Sequence, residues 1–304
     1  MKIEYPLLLD GGLSNELEAG GCDLNHKLWS ARLLESNPES IVQAHFAYLE
    51  AGAKCIITSS YQASVPGLVS AGYDLATAES LILKTTELAE IAVDRYMKLN
   101  VEALRPLIAA SIGPYGAYLA DGSEYKGDYN ISDDELLEFH AGRIKILENT
   151  NADLLACETI PSFQEAVVLA EILKETEMKA WLTFSCKDEN HLNDGTPIQD
   201  CVAFLADHPT IFALGVNCTA PKYIAGLTKA IKEKSGTKKI IVYPNSGEVY
   251  DAATKAWANC SDPDLFVAMT KEWMDLGADI IGGCCRIGPT HIAGIRKELT
   301  KSEG

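Results

Sequence analysis

Three cysteines, Cys218, Cys284 and Cys285, stand at the ends of two separate apolar runs and are the residues best placed to do chemistry. Thiolate sulfurs favour zinc, at about 2.3 Å, and three of them leave a tetrahedral position open, as in catalytic rather than structural zinc sites. Taken singly, each reads as an inert thiol, as do Cys22, Cys55, Cys157, Cys186, Cys201 and Cys260. The run Gly282-Gly283-Cys284-Cys285 is more specific. Two glycines allow a close backbone approach, and adjacent side chains converge only where a strand has ended. A vicinal redox pair stays open as the alternative, although no C-x-x-C spacing supports dithiol exchange. Run ends also carry Asp10, Tyr61, Glu158, Asn217 and Asn245. Asp10 and Glu158 are acidic groups, with Asp10 reading equally as a turn residue before two glycines. Glu158 closes an apolar run, where burial without a partner is costly. Asn217 and Asn245 offer amides to a carboxylate. Trp29, Tyr61, Tyr115 and Tyr118 offer aromatic faces to a cation, a contact worth ~0.5–2 kcal/mol.

The elements that must position these groups repeat along the chain. Eight β-branched or apolar runs occur: Pro6–Asp10, Cys55–Tyr61, Leu107–Pro114, Leu154–Ile160, Ala180–Lys187, Ile211–Thr219, Lys239–Gly247 and Asp279–Arg286. Their continuous apolarity suits parallel strands buried on both faces. Between them lie helical segments, such as the stripe Leu81, Ile82, Thr85, Leu88, Ala89, Ala92, Val93 and Tyr96. Ser132 with Glu135 and Ser162 with Glu165 read as capping boxes, and Pro38, Pro221, Pro263 and Pro289 as first-turn prolines. No linker divides the repeats, so residues 1–304 read as one (β/α)8 TIM barrel, an α/β fold with its active site at the C-terminal ends of the strands. The long connections Gly11–Ser30, Tyr115–Ile131 and Glu248–Ser261 then lie over that face as candidate closing loops.

Composition narrows the function. With 43 acidic residues against 26 Lys and Arg, the net charge of −17 disfavours nucleic acid, because there is no counterion release to gain. No apolar stretch approaches a membrane span, and the N-terminus lacks a signal-peptide core, so a cytoplasmic protein with mostly reduced thiols is expected. Dinucleotide, P-loop, nucleophile-elbow and H-E-x-x-H motifs are absent.

The motifs LLLDGG (7–12), LWSARLL (28–34), TSSYQAS (58–64), SIGPYGAYLADGSEYKGDY (111–129), CETIPS (157–162), GVNC (215–218), YPNSGEVYD (243–251) and GGCCR (282–286) span the whole chain. Together they resemble the homocysteine S-methyltransferases, and most closely those that use S-methylmethionine. The resemblance implies a (β/α)8 barrel in which Cys218, Cys284 and Cys285 bind catalytic Zn2+. It implies that homocysteine's amino group meets Glu158 and Asp10, and that Trp29 and Tyr61, with Tyr115, face a sulfonium donor.

A free thiol is only a few per cent ionised at neutral pH, so zinc would generate the thiolate that attacks the sulfonium methyl. The implied partners are homocysteine and a sulfonium donor, S-methylmethionine or S-adenosylmethionine, with the protein a monomer or small homo-oligomer. A betaine-homocysteine methyltransferase is the nearer alternative, weakened because the sequence lacks that protein's C-terminal extension. A non-catalytic zinc- or thiol-sensing barrel would need the cysteines but not Glu158.

Overall fold

The computed structural model describes residues 3–24, 32–247, 249–251, 256–258 and 262–302. Each apolar run yields a strand: β1 (Leu7–Leu8), β2 (Cys55–Ile57), β3 (Leu107–Ile112), β4 (Leu154–Ile160), β5 (Ala180–Phe184), β6 (Ile211–Asn217), β7 (Lys239–Tyr243) and β10 (Ile280–Ile281). A small antiparallel hairpin, β8 (Val249–Asp251) and β9 (Ala256–Ala258), interrupts the connection after β7. The eight strands pair in the order β1-β10-β7-β6-β5-β4-β3-β2. A parallel bridge from Leu9 to Cys55 brings the two edges together, completing a (β/α)8 barrel.

Helices fill the connections: α1 (Leu13–Ala19), α2 (Leu33–Ser36), α3 (Pro38–Ala51), α4 (Val65–Ser70), α5 (Leu75–Leu99), α6 (Tyr115–Leu119), α7 (Asp133–Leu147), α8 (Phe163–Leu173), α9 (Ile198–Leu205), α10 (Pro221–Lys234), α11 (Pro263–Asp275) and α12 (Pro289–Ser302). Four of these begin on the expected prolines, and α5 buries the expected stripe. Ser132 and Glu135 form a complete capping box on α7. At α8 the box is only half made. Ser162 accepts the Glu165 N–H, but the Glu165 carboxylate turns inward to His140 Nε2 at 2.8 Å and the Tyr115 N–H at 2.6 Å. For a fully buried carboxylate, these charge-assisted bonds outweigh a cap amide.

Alternation along the strands sorts the interior into layers. Leu7, Leu9, Ala109, Leu154, Ala156, Trp181, Ala213, Ile241 and Ile280 pack inside the barrel, where the three alanines leave room for the indole. Leu155, Leu182, Leu214 and Val242, one position out of phase, pack in the surrounding core with helix residues. The inward series continues toward the C-terminal ends as Ser111, Glu158, Thr183, Asn217 and Tyr243, all buried. Sequence thus dictates an apolar plug capped by a polar layer. Among the described residues, no helix is long and apolar enough to cross a membrane.

Candidate active site

The sulfurs meet where β6 and β10 end. Cys218 takes a left-handed backbone conformation (φ 45°) just past β6. The chain after β10 is wedged between its neighbours: Gly283 N–H donates to Asp10 O at 3.0 Å and Cys284 N–H to Pro244 O at 2.8 Å. Gly282 makes this possible, because a Cβ there would lie 2.6 Å from Leu9 Cβ. The three Sγ atoms lie within 4.8 Å of one another, with Cys218 and Cys285 3.7 Å apart.

Cys218 and Cys284 are joined as a disulfide, which departs from the expectation of free thiols at this point. The cause is the same proximity that suits an ion. Sulfurs held tetrahedrally at ~2.3 Å from a metal stand about 3.8 Å apart, close to the Cys218–Cys285 spacing. The reduced trio therefore fits a tetrahedral thiophilic metal. A paired sulfur has no thiolate charge to give, so pairing and ligation exclude each other.

A cavity of about 380 Å³ opens over the sulfurs. Its floor and walls include Gly12, Thr58, Tyr61, Glu158, Thr159, Cys218, Cys284 and Cys285. Ala120, Gly122, Glu124 and Tyr125 join them from the connection after β3. Glu158 accepts hydrogen bonds from Ser111 Oγ and the Tyr243 hydroxyl. Burial outweighs those bonds and pushes its carboxyl up to about 7.

The remaining expected residues fall into distinct places. Asp10 is buried beneath the lining. Its Oδ2 accepts the Ile57 N–H at 2.8 Å and its Oδ1 has no partner among the described residues. Burial, opposed by the Ile57 bond, raises its carboxyl well above the usual range. Tyr61 lines the cavity and hydrogen-bonds to Thr159. Asn245 is half-buried outside the lining, with its Oδ1 unpartnered among the described residues. The Tyr115 ring packs against Tyr118, Tyr129 and Phe139, away from the lining. Trp29 and Cys260 lie outside the described residues, as do parts of the long connections after β1 and β7.

Asn217 spends its amide internally. Thr159 holds a left-handed conformation (φ 63°) that a β-branched residue adopts only when the surroundings compel it. Asn217 supplies that compulsion: its Oδ1 accepts the Thr159 N–H at 2.7 Å and the Thr183 hydroxyl at 2.8 Å, and its Nδ2 donates to Thr159 Oγ1 at 2.7 Å. Asn217→Ala is expected to lower stability by about 3 kcal/mol, because buried donors lose their acceptor. Denaturant unfolding of the metal-free, reduced protein measures this, and a shift under ~0.5 kcal/mol counts against it.

Behind the roof, Arg143 donates to Gly113 O at 2.5 Å and to Tyr61 O at 3.4 Å, and contacts His140 Nδ1 at 3.1 Å. This buried cluster, with Glu165, anchors the connection after β3 to the barrel. Run-end inspection missed Ser111, Tyr243, Thr159 and Glu124. Extending the two-residue alternation from Ala109 and Ile241 would have found Ser111 and Tyr243, whereas only loop length pointed toward Glu124.

A homocysteine S-methyltransferase model matches residues 7–299 of the sequence. The chain belongs to the homocysteine S-methyltransferase family. Homocysteine S-methyltransferase YbgG of Bacillus subtilis is 49% identical over 293 residues, covering 95% of this chain and 93% of its own. Homocysteine S-methyltransferase 1 of Arabidopsis thaliana is 43% identical over 305 residues, covering 97% and 93%. The Escherichia coli homocysteine methyltransferase MmuM has been solved in metallated and oxidized forms. These match this chain at TM-scores of 0.87 and 0.88, each 43% identical, covering 96% of this chain and 96% and 95% of theirs. The resemblance drawn from the motifs is borne out, and the homocysteine S-methyltransferase family places this barrel among the methyltransferases.

Proposed function

We propose that this protein is a zinc-dependent homocysteine S-methyltransferase that takes its methyl group from a sulfonium donor, S-methylmethionine or S-adenosylmethionine. The observation that carries the reading is the convergence of three cysteine sulfurs within 4.8 Å at the wall of a cavity that also holds a buried carboxylate. Cys218, Cys284 and Cys285 would hold the ion. Zinc bound there supplies Lewis acidity that favours the thiolate form of a substrate thiol at neutral pH. The metallated form of the Escherichia coli relative supports a metal in this role.

The chain's own residues supply the rest. Glu158, oriented by Ser111 and Tyr243, receives the homocysteine α-ammonium and so fixes the distance from that end of the substrate to the sulfurs. Asp10 backs the same wall from below. In the transfer, the homocysteine sulfur forms a bond to the methyl carbon as the carbon–sulfur bond of the donor breaks. The leaving thioether keeps the electron pair, and the thiol proton passes to solvent. A negative sulfur and a positive sulfonium become two neutral thioethers, so charge is lost and a drier cavity favours the reaction. Ala120, Gly122 and Tyr125 on the roof and Tyr61 on the wall exclude water. Trp29 and Tyr61 are the aromatic faces we assign to the sulfonium.

The test measures bound metal alongside methionine formation from homocysteine with S-methylmethionine, S-adenosylmethionine and betaine side by side. Stoichiometric zinc with turnover from a sulfonium and none from betaine is expected. Turnover from betaine alone would assign the donor wrongly, and zinc without turnover would leave a metal- or thiol-sensing barrel.

A further inference from the structure

We propose that Glu124 is the donor-side specificity residue, accepting the α-ammonium of a sulfonium amino acid while Glu158 accepts that of homocysteine. The inference rests on the function proposed above and names the class of donor: an amino acid bearing both a sulfonium and a free α-amino group.

Two α-amino acids must share one cavity in this reaction, each bringing an ammonium group that needs an acceptor. Among the described residues lining the cavity there are two carboxylates, Glu158 and Glu124, and no Lys or Arg. Glu158 is already anchored in the polar layer of the barrel by Ser111 and Tyr243. Glu124 comes from the roof, in the short 3-10 turn Ser123–Tyr125. Its Oε2 is buried and has no hydrogen-bond partner among the described residues. Burial, opposed by its own backbone N–H and reinforced by Asp121, also raises its carboxyl above the ordinary value. A buried carboxylate oxygen with no donor costs free energy unless a ligand supplies one.

The turn is placed rather than loose. Gly116 of α6 lies flush against it, and a Cβ at Gly116 would sit 2.7 Å from the Ser123 carbonyl carbon and 2.8 Å from Glu124 Cα. Ser185 Oγ, just past β5, donates to Glu124 O at 3.4 Å. The buttress of Glu165, His140 and Arg143 fixes the root of the same connection.

The missing partner discriminates among cations. An ammonium carries three N–H donors and can satisfy Oε2 directly, whereas a sulfonium and the fully methylated nitrogen of betaine carry none. A carboxylate held against the reacting methyl would itself be a competing nucleophile. Engagement at the ammonium end keeps Glu124 away from the reacting carbon. Both S-methylmethionine and S-adenosylmethionine meet this requirement, and betaine does not.

The experiment compares the zinc-loaded, reduced enzyme with its Glu124→Gln variant. Two donors are used: S-methylmethionine and its deamino analogue, which keeps the sulfonium and the carboxylate. For S-methylmethionine, the KM and the calorimetric Kd should rise about 10- to 100-fold in the variant, the range for a lost charge-assisted hydrogen bond. The KM for homocysteine, the zinc content and kcat/KM for the deamino analogue should change less than about threefold. An unaltered donor KM, an equal loss with both donors, or a loss falling on homocysteine would each overturn the assignment. Wild-type turnover with S-methylmethionine is the control. Its absence would refute the transfer reading as well, whereas its presence with any of those three outcomes refutes the Glu124 assignment alone.

Discussion

Cys284→Ser, prepared under reducing conditions, is expected to lose zinc and methionine formation together. A hydroxyl is a poor substitute for a thiolate at a soft, tetrahedral site, and two sulfurs remain where three converged. Loss of an outer partner alone costs about 10- to 100-fold in metal affinity, so removing a direct ligand should cost at least about 100-fold. Metal titration against a competing chelator measures the first quantity and methionine production at saturating zinc the second. Reduction of the wild-type reference is essential, because its Cys218 and Cys284 cannot ligate while they are bonded to each other. The fold should survive the change, since half-buried Cys284 sits at the mouth and the apolar plug below is untouched. Retention of tight zinc with loss of turnover would make Cys284 a reacting rather than a ligating group. Retention of turnover without zinc would end the metal reading.

Glu158→Gln carries the second large effect. The amide keeps the shape but loses the charge, and it offers an N–H to a pocket whose Ser111 and Tyr243 hydroxyls already donate. The kcat/KM for homocysteine should fall about 100-fold, the equivalent of ~3 kcal/mol for a buried charge-assisted contact. The pH dependence gives an independent signature. The carboxyl sits at about 7 in the folded protein against 4.5 in the unfolded chain. A raised carboxyl binds its proton more tightly when folded. Its contribution to stability is therefore complete below 4.5 and is lost as pH rises through about 7. Thermal unfolding of the metal-free wild type should lose on the order of 3 kcal/mol across that window, and the variant should not. In turnover the sign reverses: kcat/KM for homocysteine should climb as pH passes about 7, because only the ionised carboxylate pairs with an ammonium. A variant with the same rising limb would assign that ionisation elsewhere.

The barrel was legible because its signals are local and redundant. Continuous apolar runs marked all eight strands, and prolines at 38, 221, 263 and 289 marked helix starts to the residue. The cysteine trio was legible because the type of residue and its place at strand ends pointed the same way. What escaped depends on long-range geometry. Asn217 looked like a free amide at a strand end, yet it is spent on the left-handed turn at Thr159, which no propensity reveals in a β-branched residue. Tyr115 looked like a rim aromatic, yet its ring completes a cluster with Tyr118, Tyr129 and Phe139. Glu165 matched a capping box, and a buried histidine on the neighbouring helix α7 claimed its carboxylate. Each is a tertiary demand overriding a local rule.

The spread of the polar layer over separate strands has a consequence for how the protein is made. Along the sequence Asp10 is made first, Ser111, Glu158 and Cys218 follow one strand at a time, and Cys284 and Cys285 come after all of them. No stretch of chain that stops short of the eighth barrel strand contains the sulfur trio. Two of its three members appear only when the eighth barrel strand docks between the first and seventh, so a growing chain has no assembled trap for stray ions, and competence arrives in a single step with closure of the ring.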